Sequence, residues 1–411
     1  MSENATGPAP LRGITVLDLS RVLAGPWATQ NLADLGAEVL KIEKPGEGDE
    51  TRRWGPPFAG TRDGELGDAT YFFCCNRGKR SVTVDFARPE GAAIIRRLAE
   101  RADVLVENYR VGALEHHGLD YSRLRAVNPR LIYCSITGFG QSGPYAARPG
   151  YDALIQAMGG LMSITGEPDG VPGAGPQKVG VAIVDLMTGL YATSAILAAL
   201  LERGRTGQGT HVDLALLDVQ VAALANQASA WLINGIVPRR VGSAHPSIVP
   251  YQPFACADGE LMLAIGTDGQ FERFCRAAGS AELAADERFR TNAARVRNRE
   301  ALVGELAPLL ARRPRAQWIR LGAENGFPCG PINTIDRVFE DPQVRARGLA
   351  ARLASARYGE MPTVAGPMRF DGAAATSKVA PPELGSATDG VLRQLGYSVE
   401  ELAALRAAGI I

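Results

Sequence analysis

The feature that most constrains this chain is a regular alternation of short apolar runs with helical segments over its first half. Ile14 to Leu19 is a brief apolar run ending in Ser20-Arg21. Gly25-Pro26 then opens a helix through Leu35, with proline in the first turn, where its missing N–H has no intrahelical bond to lose. Gly36 closes it. Glu38–Glu43 reads as the next strand and Ser81–Asp85 as another. Pro89–Arg101 is helical, because Ala92, Ile94, Ile95 and Leu98 recur at three- and four-residue spacing. Val104–Glu107 and Leu131–Ile136 are strands again. Such alternation predicts an α/β fold with a mainly parallel sheet covered by helices. Sheets of that kind hold ligands at the carboxyl ends of their strands.

Further on come a long apolar segment (Val179–Leu201), a glycine-rich turn (Gly204–Gly209), a strand at Thr210–Ala215 and a helix at Leu217–Leu232. The character changes near Gly235. A second unit follows, with a strand at Leu261–Ile265 and helices near Gln270–Ala278, Arg297–Ala311 and Gln317–Glu324. From about Asp336 the chain returns to the first unit and ends in two short helices, Asp389–Leu395 and Val399–Ala408. The expected organisation is a large domain of residues 11–225 with 336–411, a small α/β domain of 240–330, and a disordered polar leader over 1–10.

Val179–Leu201 is long enough to span a bilayer. It carries Asp185 near its start, however, and a charge at the centre of a span costs about 2.5–3.5 kcal/mol. Arginines follow it at one end only, and no second span exists. The segment reads as a helix buried inside a soluble protein, with no membrane partner.

Forty-four Lys and Arg against forty-four Asp and Glu leave no net charge, and so no electrostatic footprint for duplex nucleic acid or an anionic surface. The six cysteines form no CxxC pair and no signal peptide precedes them, which places the chain in a reducing cytoplasm without disulfides. Four histidines without HExxH spacing give no reason to expect a metal. No phosphate loop and no GxSxG elbow occur. Gly138–Gly143 formally matches GxGxxG, but Pro144 and the Ala-Ala-Arg-Pro after it do not begin a helix.

Asp185 stands alone in the apolar run Val181–Met187. It has two readings: a carboxylate bonded to backbone amides at a helix start, or a nucleophile kept ionised by the helix dipole. Three polar loops, Arg52-Arg53-Trp54, Asn76–Arg80 and Asn108-Tyr109-Arg110, also read two ways. Each is a solvated surface, or a set of guanidinium forks for an anionic ligand.

Together these segments resemble a known family. Leu11–Asp18, Arg21–Pro26, Leu35–Glu43, Asn76–Ser81 and Val106–Tyr109 are similar to class III CoA-transferases, the formyl-CoA transferase and carnitine CoA-transferase family, in order and over nearly the whole chain. Trp54–Phe58, Ile132–Gly138, Ala244–Gln252 and Gly330–Asn333 resemble the succinate–hydroxymethylglutarate (glutarate) branch.

The resemblance implies a Rossmann-like large domain built from both chain ends, and an interlocked homodimer. It implies CoA transfer from an acyl-CoA donor, succinyl-CoA, to a small dicarboxylate acid such as glutarate or hydroxymethylglutarate. Asp185 aligns with the nucleophile that passes through aspartyl anhydride and aspartyl-CoA intermediates. CoA and acyl-CoA are substrates, and no permanently bound cofactor is implied. Lys44 aligns with a contact to the CoA nucleotide, and Asn108 and Tyr109 with its adenine and ribose site, to which the basic loop adds Arg110. Trp54, Tyr71 and Tyr151 align with aromatics near the acyl group. Leu23 stands where formyl-CoA transferase has a glutamine, and the glycine-rich lid of that enzyme has no counterpart between Gly242 and Gln270. Formyl and oxalyl substrates are therefore not expected. Arg52, Arg80 and Arg148 are candidates for a distal carboxylate. Two alternatives remain: a racemase of the same fold, and a non-catalytic CoA-binding protein. The racemase needs a histidine where this chain reads Gly150-Tyr151-Asp152, and tyrosine, with a pKa of about 10, is a poor base at neutral pH.

Overall fold

The computed structural model describes residues 7–411. The expected leader over 1–10 lies outside the described residues for its first six positions. Two compact units emerge. The first contains the chain through Leu161, Val179–Ser229 and Pro342–Ile411; the second contains Met162–Lys178 and Ala230–Asp341. Residues 162–178, assigned to the large domain from sequence, thus cluster with the second unit.

The first unit is built on a six-stranded sheet. Its strands are β1 (Thr15–Asp18), β2 (Glu38–Glu43), β3 (Lys79–Thr83), β4 (Val104–Glu107), β5 (Ile132–Thr137) and β6 (His211–Ala215). They lie in the order β3-β2-β1-β4-β5-β6, and every pairing is parallel. This is the doubly wound order of Rossmann sheets. The order reverses between β1 and β4, so the loops after these two strands part and leave a crevice.

The central strands β1, β4 and β5 are mostly apolar because helices cover both faces. Successive residues point to opposite sides. Leu17, Leu40, Leu105 and Tyr133 face a core shared with Ile94, Ile95 and Leu98 and with the C-terminal Val391, Leu402 and Ile411. Val16, Val39, Val104 and Ile132 face the other core. Two helices fill that second side: α1 (Ala24–Asp34), and α5 (Ile183–Thr206), the apolar segment of the sequence reading. Between them in sequence come α2 (Thr70–Phe73), α3 (Pro89–Ala99) and α4 (Asp152–Met158), and α6 (Leu216–Ala223) follows.

Helix α5 packs lengthwise on α1 at Gly189, where a Cβ would come within 2.7 Å of the Ala24 carbonyl oxygen. It is not buried all round as expected. Leu190, Tyr191 and Leu201 are exposed on this chain. The single helix expected over Leu217–Leu232 is also two, Leu216–Ala223 and Ala225–Asn234, because Ala225 turns to φ 45°.

The second unit carries an antiparallel three-stranded sheet, β7 (Tyr251–Cys256), β8 (Gly259–Ala264) and β9 (Cys329–Pro331), with β8 central. Phe254, Leu261, Phe271, Phe274 and Trp318 fill its core. A capping box of Thr267 and Gln270 starts its helix Asp268–Ala278.

Candidate active site

The crevice at the carboxyl ends of β1, β4 and β5 holds a cavity of about 230 Å³. Three stretches wall it: the β1–α1 turn Arg21–Ala24, the loop Asn108–Val111 after β4, and the segment Arg148–Tyr151 that leads into α4. Trp54 and Glu50 close one side, and Asp185 reaches in from the first turn of α5. A second cavity of about 390 Å³ shares Arg21, Glu50 and Tyr109 with the first and adds Lys44, Arg53 and Phe86.

The turn after β1 is held from several sides. Val22, β-branched and at φ 70°, occupies the left-handed region that costs a residue of its type about 1–3 kcal/mol. Its N–H points at the Asp49 carboxylate at 3.3 and 3.4 Å. Asp49 is itself fixed by the fully buried Lys41 at 2.9 Å, and the ion pair holds its carboxyl down at about 2 against the cost of burial. Arg21 pairs with Glu50 and lies over the Tyr109 ring, 4.7 Å from its centroid. Tyr109 meets Phe86 edge-on, and burial pushes its phenol up to about 12.

Asp185 sits beside a second carboxylate, Asp152, the first residue of α4. Asp152 Oδ1 accepts from the Val184 N–H at 2.8 Å and from the Asp185 N–H at 3.3 Å. Its Oδ2 accepts from Gln156 Nε2 at 2.6 Å, and Gln156 Oε1 accepts from the Val179 N–H. The Asp185 carboxyl is pushed up to about 7, first by burial and then by the charge of Asp152. The free amides at the helix start are turned to Asp152.

The other sequence candidates divide. Leu23, Trp54, Asn108, Tyr109, Arg110, Arg148 and Tyr151 line the cavity with Asp185. Lys44 lies in the adjoining cavity, paired with Glu47. Tyr71 stands behind Trp54 with ring centroids 5.4 Å apart, and burial and the nearby Asp185 raise its phenol. Arg52 is outside the cavity. Its guanidinium is buried, bonds both Glu43 oxygens at 2.7 and 2.8 Å, and reaches Asp68 and the Pro382 carbonyl. Arg80 is outside it too, paired with Glu38 across β2 and β3. Neither has a free fork for a ligand. Arg148 lies over Tyr145 at 4.5 Å, and among the described residues neither it nor Arg110 makes an ion pair.

Two residues were missed from sequence. Glu107, at the end of β4, is buried and pushed up to about 7 by that burial, and it accepts from the Tyr109 N–H at 2.8 Å. Asp152 was read only as part of a motif lacking histidine. One signal was available for it: Gly180-Val181-Ala182 offers no capping side chain to a helix whose first amides need a partner.

A carboxylate in a small cavity that adjoins a larger one of mixed charge, with Phe86 and Tyr109 as its aromatics, permits acyl transfer. Residues 11–388 match CoA-transferase family III. The chain is 48% identical over 395 residues to the succinate–glutarate CoA-transferase of Agrobacterium fabrum, covering 96% of this chain and 98% of that one. It is 45% identical to the succinyl-CoA:glutarate CoA-transferase of Mus musculus, covering 98% of this chain and 90% of that one. The crystal structure of a CAIB/BAIF family protein from Brucella suis superposes with a TM-score of 0.82 at 48% identity, covering 94% of this chain and all of that one. The family resemblance carried by the sequence motifs is thereby borne out: the chain belongs to the class III CoA-transferases, enzymes that take CoA thioesters as substrates.

Proposed function

We propose that this enzyme moves CoA from succinyl-CoA to a small dicarboxylate, with glutarate as the first candidate, and that Asp185 is its nucleophile. The observation that carries the reading is the cavity itself. The Asp185 carboxylate shares it with two guanidinium groups, Arg110 and Arg148, that no ion pair occupies among the described residues; Glu50, the other carboxylate on its lining, is taken by Arg21.

The Asp185 carboxylate attacks the thioester carbonyl of the donor. The C–S bond breaks, CoA leaves as thiolate, and an aspartyl–succinyl anhydride remains. The thiolate then attacks the aspartyl carbonyl, forms a thioester on Asp185 and releases succinate. The acceptor carboxylate attacks that thioester and a second anhydride forms. Thiolate attack on the acceptor's own carbonyl completes the new acyl-CoA and restores Asp185. Each step exchanges a carboxylate for a thiolate, so no proton is consumed. Water must be kept out, since hydrolysis of an anhydride would waste the activation. Trp54 and Tyr151 line the cavity and Tyr71 backs Trp54.

The nucleotide end of CoA takes the larger cavity, where Phe86 and Tyr109 face the base and the exposed Lys44 and Arg53 exchange their weak surface pairing with Glu47 for its phosphates. Arg148 receives the distal carboxylate of the acceptor, since Arg52 and Arg80 are engaged elsewhere. The working unit is a homodimer. Exposed Leu190, Tyr191 and Leu201 on α5, and Trp231, Leu232 and Ile233 on the helix Ala225–Asn234, support this.

Wild type and Asp185→Ala are incubated with succinyl-CoA and a panel of dicarboxylates and monocarboxylates, and new acyl-CoA is followed by mass spectrometry. Wild type alone is expected to form new acyl-CoA, with glutarate-length dicarboxylates preferred. Transfer by Asp185→Ala, or equal rates with matched monocarboxylates, overturns the reading.

A further inference from the structure

We propose that Asp152 is a positioning residue for this reaction: it caps the helix that carries Asp185 and holds a second negative charge behind the nucleophile. The inference rests on Asp185 being the nucleophile.

Helix α5 begins without a cap of its own. Ala182 stands at the capping position and makes no side-chain bond. The first amides of a helix need acceptors. A residue 33 positions upstream supplies one, for Asp152 Oδ1 takes both the Val184 and the Asp185 N–H. The second bond is to the main chain of the nucleophile itself, so Asp152 sets where the Asp185 Cα stands. Asp152 is in turn fixed by Gln156, whose amide also ties down Val179 in the segment entering α5. One buried carboxylate and one buried amide thus lock the start of α5 to the start of α4.

The charge has a second effect. A helix N-terminus carries the equivalent of roughly half a positive charge, and an aspartate in its first turn is normally stabilised as the anion. Here the amides that create that potential are spent on Asp152. Asp185 receives the repulsion of a neighbouring carboxylate in place of the stabilisation. Its proton affinity therefore stays high, which makes the ionised form a stronger nucleophile at the cost of being partly protonated near neutral pH. The other groups around Asp185 are Tyr71, whose phenol burial holds in its protonated form, Tyr151, and the cations Arg148, Arg110 and Arg21, the last paired with the Glu50 carboxylate at the cavity's edge. Among the described residues, Asp152 is the anion that raises the Asp185 carboxyl.

A cap alone and a cap with charge make different predictions. Asp152→Asn keeps an acceptor for the helix amides and removes the charge. Asp152→Ser keeps a shorter acceptor, also without charge. Gln156→Ala loosens Asp152 but leaves the charge in place. Glu107→Gln removes an acid at the end of β4, outside the cavity, that burial also raises to about 7. The assay is kcat/KM for succinyl-CoA with glutarate between pH 5 and 9, on the full-length protein, with folding checked by circular dichroism.

The acid limb is expected to move down by a pH unit or more in Asp152→Asn and in Asp152→Ser, with kcat falling at least tenfold. It should stay where it is in Gln156→Ala and Glu107→Gln. An unmoved limb in whichever charge-removing variant folds overturns the inference, as does a limb that moves equally in Gln156→Ala. The premise is read separately. Wild type mixed with succinyl-CoA is digested, and the peptide containing Asp185 is weighed for a CoA adduct or its hydroxamate after hydroxylamine. If wild type gives no adduct, the nucleophile reading fails and this inference with it. If the adduct forms but the limb does not move, only the role of Asp152 fails.

Discussion

Asn108 and Arg21 clasp each other across the point where the sheet reverses. Asn108 Nδ2 donates to the Arg21 carbonyl at 2.7 Å, and the Arg21 N–H donates back to Asn108 Oδ1 at 2.8 Å. The first residue follows β4 and the second follows β1, so one side-chain amide joins the two loops that would otherwise part. Asn108 is thus committed to the protein, and through these two bonds it shapes the cavity that it lines. Asn108→Ala leaves a carbonyl and an N–H unpaired, at about 1–3 kcal/mol each. The expected result is a KM for succinyl-CoA raised about tenfold or more, with a smaller fall in kcat, read from initial rates.

Asp185 should also register in stability. Its carboxyl holds a proton up to about pH 7 in the folded state, against an ordinary value of 3.8. A folded state that binds the proton more tightly is favoured at low pH, and that advantage is lost as pH rises toward 7. Replacing the group removes the penalty. Asp185→Asn is expected to melt above wild type at pH 8, and the gap should shrink at pH 5. Thermal scans at the two values check this, and the variant should be inactive at both.

The large-scale plan was legible because its causes are local. The central strands, covered on both faces, are mostly apolar, and α3 shows its period in Ala92, Ile94, Ile95 and Leu98. The partners of charged side chains were not legible. Arg52, Arg80 and Arg148 look alike in sequence. What separates them is that Glu43 and Asp68 converge on the first, Glu38 sits across a strand pair from the second, and no acid meets the third. Asp152 was hidden for the same reason, since it acts on amides 32 and 33 residues away. The break at Ala225, at φ 45°, falls on a residue whose propensity favours the helix, so it left no mark in the sequence.

Arg148 is argued to read the acceptor's far carboxylate. It is held over Tyr145 and Phe139 and is free to turn its fork into the cavity. Arg148→Gln should cost about tenfold to a hundredfold in kcat/KM for glutarate, as loss of a charged hydrogen bond of about 1.5–3 kcal/mol implies. A monocarboxylate of matched length should be nearly unaffected. Competition between the two acceptors in one reaction gives the ratio directly, and an unchanged ratio assigns Arg148 no part in selection.

Arg52 should behave oppositely. Its guanidinium is buried among Glu43, Asp68 and the Phe72 ring, 3.7 Å from its centroid, in a layer that also contains the pairs Lys41–Asp49 and Lys79–Asp18. Arg52 and Glu43 support each other: the arginine holds the Glu43 carboxyl well below its usual range despite burial, and burial of the pair excludes the water that would otherwise solvate either ion. Removing one member leaves the other charged and unpaired, at about 3–5 kcal/mol. Arg52→Ala is therefore expected to lower Tm by several degrees. The ratio of dicarboxylate to monocarboxylate turnover should stay that of wild type in whatever fraction remains folded. Because Glu43 is then more easily protonated, the loss should lessen as pH falls, which Tm measured at pH 8 and pH 5 distinguishes from simple loss of packing.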